Sequence, residues 1–270
     1  RGPDEMSSII HDDYMAGHTR NCISNPLEGK QPMEDDTWVI LHNGEIYNSG
    51  SVCENIYKEN IWKGKSDSYR ILQLMNKLNP LKVPEQIDGM FAYCAYNKKE
   101  KILYVVRDPV GVIPLYMVQK ENEVWISSEL KAILDIGTPN IVKPGHIYSF
   151  HKNDKTMTKY SLDYPIIPPV ERFQEKKLYN IMDQAVAKRV YSDVPWAVLL
   201  SGGLDSTVVC SLAVENEKLS KSYPSVHTFS IGLKNSPDLK RAEEVANYWN
   251  TCHHSVEFTV EEGFEALHDV

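Results

Sequence analysis

The run Leu199-Leu200-Ser201-Gly202-Gly203-Leu204-Asp205-Ser206-Thr207 breaks from apolar residues into two glycines and then into a helix-like pattern. Gly202 and Gly203 lack Cβ atoms, so their backbone can approach a ligand closely and can adopt positive φ. A helix that starts there offers unpaired first-turn N–H groups and the positive end of its dipole. Ser201 and Ser206 add hydroxyls. Together these suit an anion the size of pyrophosphate. Asp205 is out of keeping with an anion site. It either caps the helix or holds a magnesium ion that bridges to phosphates. The loop is neither a Walker loop nor GxGxxG, and the letters alone leave a plain strand-to-helix turn open. A second pair, Asn43-Gly44, follows the apolar run Thr37 to Leu41. Read alone it signals a tight hairpin turn, because both residues tolerate positive φ.

The elements that would carry these stretches fall into two regimes. Before residue 163 the chain reads mainly as strands. Gly89 to Tyr96 and Ile102 to Val106 flank the polar turn 97–101, and Glu123 to Ser127 and His146 to Phe150 add two more. A helix is expected over Asp67 to Leu78, with Ile71, Leu72, Leu74 and Met75 on one face. Strand runs with few helices between them predict an antiparallel α+β domain. Tyr164-Pro165-Ile166-Ile167-Pro168-Pro169 is a proline-rich break. After it, Phe173, Leu178, Ile181, Met182, Ala185, Val186 and Val190 form one stripe at helical spacing. Strand and helix then alternate: Trp196 to Leu200, Asp205 to Ala213, His227 to Ile231, Asp238 to Trp249, His254 to Phe258. That order predicts a parallel sheet with ligands at the carboxyl ends of its strands. The domains are therefore set at 1–163 and 171–270, with 164–170 as linker.

Composition bounds the function. The 270 residues carry a net charge of −8, with 42% hydrophobic and 24% charged residues. The field repels nucleic acid, and no basic run argues otherwise. No apolar run approaches the roughly 20 residues that span a bilayer. The five cysteines, Cys22, Cys53, Cys94, Cys210 and Cys252, lack CxxC spacing. Reduced thiols in a cytoplasmic protein are the expectation.

SGGLDS resembles the pyrophosphate loop of the N-type ATP pyrophosphatases, which split ATP between the α- and β-phosphates to adenylate a substrate. The segments Ser192-Asp193-Val194-Pro195, Phe229 to Leu233, Ser236-Pro237-Asp238, Ala242 to Ala246 and His253-His254, in that order, are similar to asparagine synthetase. The resemblance implies that Leu200 and Ile231 flank adenine. It also implies that Ser201, Gly202, Gly203, Asp205 and Ser206 hold the phosphates, with Mg²⁺ at Asp205. Read as a plain strand residue, Ile231 would be buried, and both readings stand together. The first half resembles the glutamine amidotransferase domain of the same family through Arg1-Gly2-Pro3-Asp4, His18-Thr19-Arg20, Asn43 to Asn48, Ser66-Asp67, Asp88 to Ala92, Arg107 to Tyr116 and Ser127-Ser128-Glu129. By that resemblance Asn43 and Gly44 form an oxyanion hole. Arg20 pairs with the glutamine α-carboxylate, Glu45 and Asp67 face its α-ammonium, and Ile23 lines the site. The Arg107 to Tyr116 motif is read as a strand and turn packed at the domain interface.

The chain also departs from the family. The nucleophile there is an N-terminal cysteine, whereas this chain opens at Arg1 with RGPD, a motif that lies well inside the family's domain. Cys22 has no base nearby and is not its replacement. Asn21, Asn25 and Tyr69 stand where the family favours apolar or acidic residues. The later SGEG segment of the synthetase domain is absent before Val270. The expected fold is an α+β N-terminal-nucleophile domain, the class II glutamine amidotransferase type. An α/β parallel-sheet ATP-pyrophosphatase domain follows, and both are truncated. The expected activity is glutamine- and ATP-dependent synthesis of asparagine from aspartate through β-aspartyl-AMP, with a homodimer allowed. Against it stand a non-catalytic scaffold that keeps the fold, and a sister amidotransferase that adenylates another carboxylate.

Overall fold

The computed structural model describes residues 2–58, 65–162, 172–190, 192–220 and 225–267, the side chains of 218–220 excepted. The expected linker 164–170 lies outside the described residues, as do Arg1 of the RGPD motif and the last three residues. The chain divides into two compact units, Arg1–Pro168 and Pro169–Val270. Among the described residues, no helix is long and apolar enough to cross a membrane. All five cysteines are unpaired.

The first unit starts with a hairpin, β1 (Glu5–Ile10) and β2 (Met15–Arg20). Then follow β3 (Met33–Glu34), β4 (Trp38–Ile46) and the helices α1 (Ser49–Tyr57), α2 (Asp67–Lys77) and α3 (Val83–Gln86). The remaining strands are β5 (Gly89–Asn97), β6 (Ile102–Arg107), β7 (Tyr116–Gln119), β8 (Val124–Ser127), β9 (Asn140–Ile141), β10 (His146–His151) and β11 (Thr156–Ser161). Six strands form an antiparallel sheet in the order β11-β10-β6-β5-β4-β3, and three form a second sheet in the order β8-β7-β9. Successive strand residues point to opposite faces. Accordingly Phe91, Tyr93 and Ala95 of β5 share one core with Ile40, Ile46, Val106 and the helix residues Ile71, Leu74 and Met75. Ala92, on the other face, packs with Val105, Leu115, Met117 and Val142. The expected antiparallel α+β unit is therefore a helix layer, a large sheet and a small sheet.

Helix α2 forms where its pattern predicts. Ser66 accepts the N–H of Tyr69 at 3.2 Å as its N-cap, Asp67 occupies the first turn, and Ile71, Leu72, Leu74 and Met75 are buried. Each such side chain contributes roughly 1.5–3 kcal/mol of burial. The Arg107 to Tyr116 motif is a self-tied loop within the first unit. Asp108 is buried and accepts from the N–H groups of Val110, Gly111, Val112 and Ile113 at 3.0, 2.6, 3.2 and 3.3 Å. Arg107 donates to the carbonyls of Ile113, Val142 and Gly111. All of these partners lie within the first unit.

The second unit runs α4 (Glu175–Val190), β12 (Ala197–Leu199), α5 (Leu204–Ser220), β13 (His227–Leu233), α6 (Pro237–Trp249), β14 (Cys252–Phe258) and α7 (Val260–Ala266). The strands are parallel in the order β12-β13-β14. One face of the sheet packs its Val198 against Cys210, Leu212 and Ala213 of α5 and Ala242 and Ala246 of α6. On the other face Leu199, Ile231 and Val256 are exposed. The α4 stripe splits in two. Met182, Val186 and Val190 pack against the core, one turn apart, whereas Phe173, Leu178 and Ile181 are exposed.

Candidate functional site

The first unit holds a cavity of about 890 Å³ that is lined by every residue expected to bind glutamine: Arg20, Ile23, Asn43, Gly44, Glu45 and Asp67. Its size is in the range of small-molecule sites. Leu41 through Glu45 all line it.

Asn43 and Gly44 are not a turn. They pair across the sheet with Ala92 and Phe91 in the middle of a nine-residue ladder. Gly44 has φ 125°, and a Cβ there would lie 1.9 Å from the Met90 carbonyl oxygen. Only glycine fits, so the strand keeps its pairing while bending into a conformation closed to other residues. The Asn43 amide donates to Ser128 Oγ at 2.9 Å. A hydroxyl just past the end of β8 thereby fixes the orientation of the proposed oxyanion donor.

Asp67 is buried at the start of α2. Its carboxylate accepts from the N–H of Ile46 at 3.0 Å and of Ser68 at 2.8 Å. The helix N-terminus favours the same charge. Arg20 is also buried, and its guanidinium donates to the carbonyls of Pro26, Ser24 and Asn25 at 3.0, 3.1 and 2.8 Å. Glu5 stands 3.7 Å away and itself meets Lys30. Asn25 holds this arrangement with φ 41°, its side chain accepting the N–H of Glu28. The guanidinium fork is thus spent largely on loop 24–26.

The letters gave no sign of a buried polar chain behind these residues. The Gln31 amide donates to the His42 carbonyl and to Ser68 Oγ, while its oxygen accepts the His42 N–H at 2.6 Å. His42 Nδ1 lies 3.0 Å from Ser68 Oγ and 3.9 Å from Asp67. Its Nε2 is buried without a hydrogen-bond partner among the described residues. Burial lowers the His42 pKa, only partly opposed by Asp67, and burial likewise lowers that of His18 on the cavity wall. Both rings are therefore neutral near pH 7. Gln31, His42, Ser68 and Ser128 come together from four separate segments, and no spacing in the chain announces them. Among cysteines, Cys94 lines the cavity, but burial pushes its thiol up to about 12. It is protonated and inert as a nucleophile at neutral pH. Cys22 is not on the cavity wall; its N–H is held by Asp4 at 2.8 Å.

The second candidate site is the loop after β12. Leu200 is buried in the core, and its N–H donates to the Phe229 carbonyl at 2.7 Å. Its side chain faces the helices, which leaves its carbonyl for any ligand. Gly202 has φ 74°, and a Cβ there would sit 2.6 Å from Ala242 N and Arg241 Cβ. The loop is thus pinned against α6. Ser206 Oγ lies 3.0 Å from Ser201 Oγ, meets the Ser201 N–H at 3.3 Å and donates to the Gly203 carbonyl at 3.2 Å. Thr207 N–H makes the first helical bond, to Gly203, so the N–H groups of residues 204–206 precede the ladder. Asp205 is exposed in the first turn of α5. Among the described residues it joins no cluster of three or more metal-ligating side chains. Ile231 is 71% exposed, which corrects its reading as a buried strand residue. It projects from the uncovered face of β13, on the strand beside the loop.

Comparisons with known proteins give two overlapping family matches. The glutamine amidotransferase domain family matches residues 1–192, and the asparagine synthase family matches residues 177–270. A probable glutamine-hydrolysing asparagine synthetase of Dictyostelium discoideum is 39% identical over all of this chain and 52% of its own length. The glutamine-hydrolysing asparagine synthetase of Zea mays is 38% identical over all of this chain and 47% of its own. Asparagine synthetase B of Escherichia coli (strain K12) is 32% identical over all of this chain and 51% of its own. The chain thus spans about half the length of the curated relatives it matches. It belongs to the glutamine amidotransferase domain family, and its residues 177–270 match the asparagine synthase family.

Proposed function

We propose that this chain is part of a glutamine-hydrolysing asparagine synthetase. In that reading the first unit binds glutamine for release of ammonia. Arg20 meets the α-carboxylate, Glu45 and Asp67 the α-ammonium, Ile23 lines the pocket, and Asn43 and Gly44 face the developing oxyanion. The second unit binds ATP between the residue 200–206 loop and Ile231. Backbone amides and the Ser201 and Ser206 hydroxyls meet the phosphates. Asp205, a lone exposed carboxylate in the first turn of α5, is the residue that would hold a magnesium ion, and such an ion would supply charge neutralisation for the triphosphate.

The reaction then balances as follows. An aspartate β-carboxylate oxygen attacks the α-phosphorus, and pyrophosphate leaves with the electron pair of the P–O bond. Ammonia attacks the acyl carbon, loses a proton, and AMP departs with the oxygen that came from aspartate. The observation that carries this reading is the loop at Gly202. Its positive φ and its contact with α6 hold backbone amides at the carboxyl end of a parallel strand, where anions gather.

The guanidinium of Arg20, engaged by loop 24–26, favours the rival reading of a scaffold that keeps the fold without binding glutamine. One experiment separates the two. The full-length protein is given ATP, glutamine and aspartate labelled with ¹⁸O in its β-carboxyl. Label in AMP, with asparagine formed, is expected; asparagine with unlabelled AMP refutes the adenylate, and no turnover at all supports the scaffold.

A further inference from the structure

A side-chain cluster on the uncovered face of the second sheet has no part in the chemistry above. β13 and β14 are parallel, and their first residues, His227 and Cys252, are register partners. His254 lies two residues beyond Cys252, so it projects from the same face. His227 Nδ1 is 2.9 Å from His254 Nε2, and Cys252 Sγ is 3.7 Å from the same nitrogen. One donor atom from each side chain lies within 4.8 Å of the others. The neighbouring His253 is not available. It points to the covered face, where its two nitrogens meet Thr228 Oγ1 at 2.9 Å and Ser230 Oγ at 3.1 Å.

We propose that His227, Cys252 and His254 form a zinc site that clamps β13 to β14. A thiolate and two imidazoles are a borderline-soft donor set, which suits Zn²⁺ and not magnesium. Bond lengths of about 2.0–2.1 Å to nitrogen and 2.3 Å to sulfur, at tetrahedral angles, place such donors roughly 3.3–3.6 Å apart. The observed separations bracket that range, so small side-chain rotations admit the ion. The rings are already confined. His227 and His254 stack at 5.2 Å with 6° between their planes, and Phe229 stacks on His254 at 4.5 Å. The three donors leave one position for water. The site lies at the amino ends of its strands, whereas the residue 200–206 loop follows the carboxyl end of β12. The ion would therefore link two strands at the end of the sheet opposite the phosphate-binding loop, with its fourth position open. It couples residues 25 positions apart or more.

The test uses the full-length protein, stripped with a chelator and titrated with Co²⁺ and then Zn²⁺. One equivalent of Co²⁺ is expected to give a thiolate-to-cobalt charge-transfer band that Zn²⁺ abolishes. Cys252→Ser removes the band. Cys252→Ser and His254→Asn each weaken Zn²⁺ binding by at least the 10–100-fold typical of losing an outer-shell partner. Cys22→Ser and His11→Asn leave band and affinity unchanged. A band that survives Cys252→Ser, or that Cys22→Ser removes, overturns the proposal. The unmutated chain gives a second readout, free of any folding defect. Equimolar Zn²⁺ slows alkylation of Cys252, read by mass spectrometry, and chelator restores it. Unchanged alkylation overturns the proposal as well.

Discussion

The two candidate sites are built in opposite ways. In the first unit the proposed glutamine residues are woven into buried hydrogen bonds. Asp67 caps backbone N–H groups from two elements, Asn43 is held by Ser128, and Arg20 is wedged among carbonyls. In the second unit the loop at 201–206 is open. Its serine hydroxyls bond mainly to each other and to nearby backbone, and Asp205 faces solvent. A buried polar group without its partner costs more than an exposed one. The first site therefore shares its hydrogen bonds with the fold, and a substitution there removes stability and activity together. The second site uses groups the fold does not need, apart from Gly202, where backbone geometry and helix packing coincide.

The strongest way to sharpen this contrast lies beside the first site. Asp108→Ala removes the buried acceptor shared by the N–H groups of residues 110 to 113 in a largely exposed loop. At roughly 1 kcal/mol net for each of the hydrogen bonds lost, the first unit should lose about 4 kcal/mol. Denaturant titration of the chain would show its transition shift or vanish. A loss below about 1 kcal/mol would mean that water satisfies the loop, and the first unit would then be less closed than described.

Asn43→Ala comes next. In the full-length protein, glutamine hydrolysis should fall by about 10²–10³, the usual cost of one oxyanion donor. Synthesis with ammonium in place of glutamine should continue. Because Ser128 loses its partner, stability should also drop by about 1 kcal/mol. Normal glutaminase activity with reduced stability would leave Asn43 as a strand residue and no more. Loss of the ammonium-supported reaction would break the separation of the two sites.

Which parts of this design were legible follows from how local they are. Helix α2 declared itself through a cap, a first-turn acid and a one-faced apolar stripe, all within its own residues. The hairpin β5–β6 and the alternation of the second unit were equally local. Asn43-Gly44 misled because a two-residue turn signal was outweighed by a nine-residue ladder with β5. The hairpin β1–β2 went unread because EMSSII and MAGHTR mix exposed and half-buried positions without an apolar run. The chain from Gln31 through His42 to Ser68 joins groups 11 to 37 residues apart, and Asn43 to Ser128 spans 85. Such contacts have no period to detect. The exposure of Ile231 was hidden for another reason. Alternation shows that a strand has two faces, but not what covers either one.

The smallest effect tests the second half of the contrast directly. Asp205 had two readings, helix cap or magnesium ligand, and among the described residues it belongs to no cluster of three or more metal-ligating groups. Its remaining structural value is a negative charge at a helix N-terminus, screened by solvent. Asp205→Asn keeps the shape and removes the charge. Stability should stay within about 0.5 kcal/mol, as for surface substitutions in general. If the carboxylate holds the ion, the Mg²⁺ concentration for half-maximal synthesis should rise about tenfold or more, a cost of about 1.4 kcal/mol in ion binding. Glutamine hydrolysis, read in the same preparation, should not change. An unaltered Mg²⁺ dependence with lowered stability would return Asp205 to the role of a cap. The second site would then share its polar groups with the fold just as the first one does.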